Sequence, residues 1–189
     1  MQLGVGTNAK WQIVGAACIT RPPIVCPPMK PIEQQYSEGN KYCTESADDT
    51  SDLGSLNRSQ ERSLLLVVKQ KLGSSYEWSL PQTPWLPGET LRQTCERVVK
   101  ERCGDSLKVK FLGNAPCGFY KYKYPKNVRA NGFIGAKVFF YKAQVIDNNG
   151  AVNPGEDIAE YQWLSQNELD DKFRRSYAKS VSQFLVSDQ

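Results

Sequence analysis

Between Trp78 and Gly104 the chain reads WSLPQTPWLPGETLRQTCERVVKERCG, and Glu89, Arg97 and Glu101 within it are groups with chemistry to offer. Carboxylates gathered on one helix suit Mg²⁺, which takes a near-octahedral set of oxygens. A metal held there orients a phosphate, activates a water and neutralises developing charge. The neighbouring positions withhold what such a site needs. Val98 has no oxygen to give. Arg102 carries a fixed positive charge that repels a cation. A second role fits the same residues. Glu89 stands near the start of a helix, where negative charge complements the dipole. Glu89, Arg97 and Glu101 then form a salt-bridged link between loop and helix, and catalysis has no part in it.

The stretch resembles a Nudix box with most of its ligands replaced. The working pattern is a glycine, five residues, a glutamate, seven residues, then R-E-U-x-E-E-x-G-U, with U bulky and apolar. Laid on this chain, the lead glycine falls on Thr83, the first glutamate on Glu89 and the arginine on Arg97. The next glutamate falls on Val98 and the apolar residue on Val99. The glutamate pair falls on Glu101 and Arg102, the second glycine on Gly104 and the last apolar place on Asp105. Trp78-Ser79-Leu80-Pro81 is similar to the strand end that leads into such boxes. The resemblance implies a nucleotide-hydrolase fold without its reaction, with no catalytic residue, no metal and no cofactor.

Longer strings resemble a narrower family, that of the forty-sixth large-subunit protein of the mitochondrial ribosome. They are Ser55-Leu56-Asn57-Arg58, LLLVVK at 64–69, PGETLRQT at 87–94, FLGNAPCG at 111–118, GAKVFFYKA at 135–143 and FLVSD at 184–188. GAACITRPPIV at 15–25 adds a short N-terminal piece. The family carries a long, charged, helical stretch between that piece and the Nudix-like part, and here only positions 26–54 connect them. The resemblance implies a structural constituent of the mitochondrial large subunit, near its central protuberance. Its partners would be other large-subunit ribosomal proteins, with ribosomal RNA as a further contact. It would sit in the matrix and take no small-molecule substrate.

Composition sets wider bounds. The chain has 189 residues, a formal net charge of +4 and no histidine. That is a mild basic excess, compatible with phosphate neighbours and with solubility alone. No apolar run approaches the ~20 residues that a membrane helix needs. The six cysteines are Cys18, Cys26, Cys43, Cys95, Cys103 and Cys117. None forms a C-x-x-C pair, and no histidine completes a zinc site or serves as base to a cysteine nucleophile. They read as free thiols of a reducing compartment. Residues 1–32 hold Lys10, Arg21 and Lys30 but no Asp or Glu, as a mitochondrial targeting region would.

The elements that must position the box follow from pattern. Residues 1–32 form an extended N-terminal segment, with five prolines between positions 20 and 32. Residues 33–56 read as a polar linker. A Nudix-like domain occupies 57–189. Leu64–Lys69 is a buried strand, and a second ends at Trp78–Pro81. Thr83–Gly88 is a loop held by Pro84 and Pro87. Thr90–Arg102 is a helix with an apolar stripe of Leu91, Cys95, Val98 and Val99, stopped by Gly104. Val98 therefore joins the edge of the core. Strands follow at Lys108–Phe111, Phe119–Tyr124, Gly135–Ile146 and Ile158–Leu164, with a turn at Asp147–Gly150. Ser165–Glu168 is a capping box opening a helix, and a last helix spans about Ser176–Val186. This order suits an α/β fold, an α/β/α sandwich with a mixed sheet.

Period-two alternation places Tyr120, Tyr122 and Tyr124 on one face and Lys121 and Lys123 on the other. Lys108, Lys110, Lys121 and Lys123 are expected along one side of neighbouring strands, with Lys126 and Arg129 in the next loop. Such a row suits phosphate contacts and equally a solvated sheet face. The tyrosines suit core packing better than base stacking. Two rivals stand beside the ribosomal reading. One is a Nudix hydrolase acting on a nucleoside diphosphate derivative. The other is a nucleotide-binding module that senses without cleaving, beside Arg97 or Arg102.

Overall fold

A twelve-residue strand, β1 (Lys10–Arg21), lies in the middle of the sheet. The computed structural model describes residues 10–24, 52–73, 75–126, 129, 132–147 and 151–185. Along one edge β1 runs parallel to β7 (Phe133–Val145), in register from Trp11 opposite Gly135 to Thr20 opposite Gln144. Its other edge meets β4 (Gln82–Pro84) and then β2 (Leu64–Leu72), both antiparallel. Beyond β7 come β6 (Gly118–Lys123) and β5 (Val109–Phe111), end to end on one edge. Beyond β2 lies β8 (Ile158–Leu164). After two residues beside β1, β2 turns to pair with β3 (Ser75–Ser79) instead.

Helices cover both faces, giving three layers in the order α/β/α. α1 (Leu91–Cys103) packs Val98, Val99 and Cys103 against Ala17, Ile19, Leu64, Leu66 and Ala143. On the opposite face α2 (Leu169–Lys172) and α3 (Arg175–Ser182) bring Leu169, Tyr177, Ala178 and Val181 onto Val14, Ala16, Cys18, Val138 and Phe140. Alternate residues of β1 thus feed alternate cores, as the pleat requires.

Several sequence expectations change here. Residues 10–21 were read as part of an extended segment outside the packed body, yet they form its central strand. A strand buried on both faces shows a continuous apolar run, Ile13 to Ile19, in place of the alternation that marks a half-buried one. The polar linker ends earlier than residue 56. Trp163 N–H donates to the Leu53 carbonyl at 2.7 Å, and Leu56 is buried. The loop at Thr83–Gly88 begins later, because Gln82–Pro84 pairs with Val14–Ala16. The last helix ends at Ser182, although Phe184 still packs into the core. Residues 1–9, the stretch from Val25 to residue 51, the turn residues 148–150 and Val186 lie outside the described residues.

Arg21 ends β1 and is fully buried. Its guanidinium donates to the carbonyls of Pro22, Arg58, Ser59 and Gln60 at 2.8–3.2 Å. A charged group tolerates burial when it is well hydrogen-bonded, and these bonds also tie 58–60 to the sheet. Arg58 carries the link onward, donating to the Trp163 carbonyl at 2.6 Å and to Glu168 at 2.7 and 3.1 Å. Glu168 also accepts from the Ser165 N–H and hydroxyl, both at 2.7 Å.

Burial pushes the Glu168 carboxyl up, but the bonds from Arg58 and Ser165 outweigh it and hold it at about 2. A depressed carboxyl stabilises the fold above its ordinary value of 4.5 and loses that contribution as pH falls toward about 2. Glu168→Gln should therefore cost about 1 kcal/mol at pH 7, a figure discounted because the side chain is 37% exposed. The gap to wild type should close below pH 4. Urea midpoints at pH 7 and pH 3 measure it, and an equal gap at both would show that ionisation of Glu168 is irrelevant.

Candidate functional site

The box residues meet where β4 runs into the head of α1. Thr90 caps the helix reciprocally with Gln93: the Thr90 hydroxyl accepts from the Gln93 N–H at 3.2 Å, and the Gln93 side chain accepts from the Thr90 N–H at 2.8 Å. The preceding loop is braced by the Trp85 indole N–H, which donates to the Glu89 carbonyl at 2.6 Å. At the far end Gly104 adopts φ 82°, a left-handed value that glycine takes freely. A Cβ there would meet Asn153 Cβ at 2.9 Å.

Arg97 organises the site. Its Nε and one terminal nitrogen donate to the two Glu89 oxygens at 2.8 and 3.1 Å. That same nitrogen reaches the Pro84 carbonyl at 2.9 Å. The other donates to Glu101 at 3.1 and 3.3 Å. One guanidinium therefore joins strand, loop and helix in a planar fork of the kind that binds carboxylates bidentately. The Arg97 hydrogen bonds hold the Glu89 carboxyl below its usual range, and Thr94 donates to it as well at 3.0 Å.

The other two ligand positions lead elsewhere. Val98 is fully buried among the apolar residues beneath α1. Arg102 turns from the cluster and pairs with Asp157, ahead of β8. This set does not fit a divalent cation. Two carboxylates remain, both are committed to Arg97, and the positions between and beyond them hold a methyl-bearing core residue and a cation. Thr83, in the place of the lead glycine, is buried in β4 opposite Gly15.

Where β2 leaves β1 for β3, a cleft of about 580 Å³ opens, lined in part by Gln12, Ser79, Gln82, Tyr122 and Tyr124. Ser79 and Gln82 are buried there, and the Ser79 Oγ and Gln82 Oε1 have no hydrogen-bond partner among the described residues. Arg102 borders the cleft, but its guanidinium is taken by Asp157. Neither box arginine is thus free for a phosphate.

Among the described residues the buried thiols have no nucleophilic setting. Burial pushes Cys95 and Cys103 up to about 12 and raises Cys18 further, so they stay protonated at neutral pH. Cys26 and Cys43 lie outside the described residues.

The lysine row does not hold together. Lys110 sits opposite Gln144 of β7, and Lys121 opposite Lys137. Even and odd positions of one strand point to opposite faces. Lys108 and Lys110 therefore belong to the α3 face, and Lys121 and Lys123 to the α1 face. Lys126 is exposed in the following loop, and Arg129 donates to the Tyr124 carbonyl at 2.8 Å. The tyrosines behave as expected of core residues. Tyr120, Tyr122 and Tyr124 are half-buried in the α3-side cluster, and Tyr120 meets Tyr177 edge-on at 5.1 Å.

Residues 53–184 match the family model of the NUDIX domain. Large ribosomal subunit protein mL46 of Bos taurus is 46% identical over 140 residues, which is 74% of this chain and 50% of that protein. The protein of the same name from Rattus norvegicus is 41% identical over 155 residues, 82% of this chain and 55% of its own. The chain thus spans about half the length of the curated relatives it matches. A NUDIX hydrolase from Nitrosomonas europaea superposes with a TM-score of 0.51 at 19% identity, over 93% of this chain and 88% of that one, a likeness of fold.

Val98→Glu restores the missing glutamate in sequence but places it in the core. A carboxyl there must stay neutral or break the packing. The variant should lose on the order of 4 kcal/mol at pH 7, and less at pH 5, where protonation is easier. Thermal melts at the two pH values test this, and an unchanged melting point at pH 7 would place residue 98 in the open cleft.

Proposed function

The chain belongs to the NUDIX domain family, and from that premise we propose that it is a structural constituent of the large subunit of the mitochondrial ribosome. It works in the matrix, on a Nudix fold that has exchanged catalysis for rigidity. The observation that carries this reading is the 46% identity to a large ribosomal subunit protein across most of the chain. The box geometry agrees with it. Glu89 and Glu101 are bound to Arg97, and Val98 fills the core. Neighbouring ribosomal proteins are its partners, and ribosomal RNA is a further one. Specific binding on such a body falls to surfaces, because the box holds the fold together and offers no free charge to a substrate.

One observation favours a second reading, a nucleotide-sized ligand in the cleft beneath Tyr122 and Tyr124. Buried polar atoms normally find partners, and the Ser79 Oγ and Gln82 Oε1 lack them among the described residues. Thermal shift of the purified chain with nucleoside mono- and diphosphates decides it. A shift that Gln82→Leu removes supports the ligand.

On the main reading, the chain sediments with the mitochondrial large subunit on sucrose gradients and stays there in moderate salt. Protein contacts with an apolar centre survive salt that strips isolated phosphate contacts. The purified chain with Mg²⁺ or Mn²⁺ releases no product from dinucleoside polyphosphates or nucleoside diphosphate sugars. Turnover above background that Glu101→Gln abolishes would restore the hydrolase. Recovery of the chain only in soluble fractions would remove the ribosomal assignment.

A further inference from the structure

α1 covers only part of its face of the sheet. It seats on β1 at Gly15, where a Cβ would meet Thr94 Cγ2 at 2.9 Å, and it covers Ala17 and Ile19 beyond. The other half of that face, toward Trp11, carries aromatic and basic side chains. Phe119 is 52% exposed. It lies directly opposite Phe139, ring centroids 6.0 Å apart. Trp11 lies over Gly135, where a Cβ would meet its ring at 2.7 Å. The Lys121 ammonium sits 4.2 Å from the Trp11 ring centroid, and that of Lys137 sits 5.9 Å away.

We propose that this half-face, built from Trp11, Phe119, Lys121, Lys137 and Phe139, is a stacking platform for single-stranded RNA. That the RNA is ribosomal rests on the function proposed above. Charge complementarity points to a polyanion. On this face the strands β6 and β7 present Lys121, Lys123 and Lys137, and β1, β6 and β7 hold not one Asp or Glu. Geometry points to bases. Trp11 and Phe139 align with β7 positions four residues apart, Gly135 and Phe139, which is about 13 Å along a strand. That is about four base steps on one strand. Lys137 stands midway, where a phosphate between stacked bases would pass. Aromatic rings on an open sheet, interleaved with cations, bind unpaired bases with little regard to sequence. A duplex keeps its base faces inside and has nothing to offer Phe119.

The test uses the full chain and a fluorescein-labelled mixed-sequence RNA of twelve nucleotides, read by anisotropy. The single strand should bind more tightly than a duplex of the same length. Phe119→Ala should weaken it by roughly tenfold. Lys121→Gln should lower the slope of log affinity against log salt by about 0.7. Circular dichroism establishes that both variants are folded, since both positions are exposed. Preference for the duplex, or unchanged affinity in both variants, would overturn the platform. A chain that sediments with the large subunit but binds no single-stranded RNA overturns the platform and leaves the ribosomal reading intact. The reverse result, RNA binding lost in both variants but no ribosomal particle carrying the chain, keeps the platform and overturns that reading.

Discussion

The parallel pairing of β1 with β7 is the constraint on which the rest of the molecule depends. β1 lies between two groups of strands, β7 with β5 and β6 on one side and β2 with β3 and β8 on the other. Without it β7 and β2 have no common neighbour. Both cores also need it, because Val14, Ala16 and Cys18 point into one and Ala17 and Ile19 into the other. Parallel pairing requires a long connection between the two strands. Here almost the whole domain is that connection. The strand is held at its end by Arg21, whose bonds to the 58–60 carbonyls close the return of the chain.

The box helix is placed by the same strand. Gly15 gives α1 its close approach, and Thr83 of β4, paired to Gly15, carries the chain into the loop that ends at Glu89. Arg97 then fastens β4, loop and helix through a single side chain. Glu89 of the loop and Glu101 of the helix both pair with this arginine. Two further positions add to the packing. Once residue 98 is valine, burial of α1 gains apolar area. Once residue 102 is arginine, it anchors the C-terminal end of α1 to Asp157, where a cation also suits the helix dipole.

Much of this was legible in the sequence, and the exceptions have physical causes. The helix Thr90–Arg102 shows through its stripe and its terminal glycine, and Val98 counts as core because it recurs at helical spacing. The alternation of Phe119–Tyr124 gives the burial of the tyrosines. β1 was missed because a strand with two buried faces does not alternate, and because the prolines after it suggest an extended tail. The lysine grouping failed for a different reason. Face assignment within one strand follows from period two, but between strands it depends on register. Lys110 and Lys121 are related only through their partners on β7, Gln144 and Lys137, which no local pattern reveals. The Trp11 grouping escaped notice for the same reason. Trp11 is distant in sequence from Lys137 and Phe139 and joins their face only when β1 docks.

The open half-face is a consequence of element lengths. α1 has thirteen residues, about 20 Å at 1.5 Å each, while β1 has twelve, about 40 Å at 3.3 Å each. A helix that short covers about half of such a strand. On the opposite face α2 and α3 cover Val14, Ala16 and Cys18 together with Val138 and Phe140, so the sheet beneath Phe139 is backed by a packed core while its front stays open. Rigidity behind and exposure in front are what a docking platform requires, since a surface already ordered loses little freedom when it binds. On the function proposed above, the box serves as a structural clamp, and recognition falls to the part of the sheet that the helix does not reach.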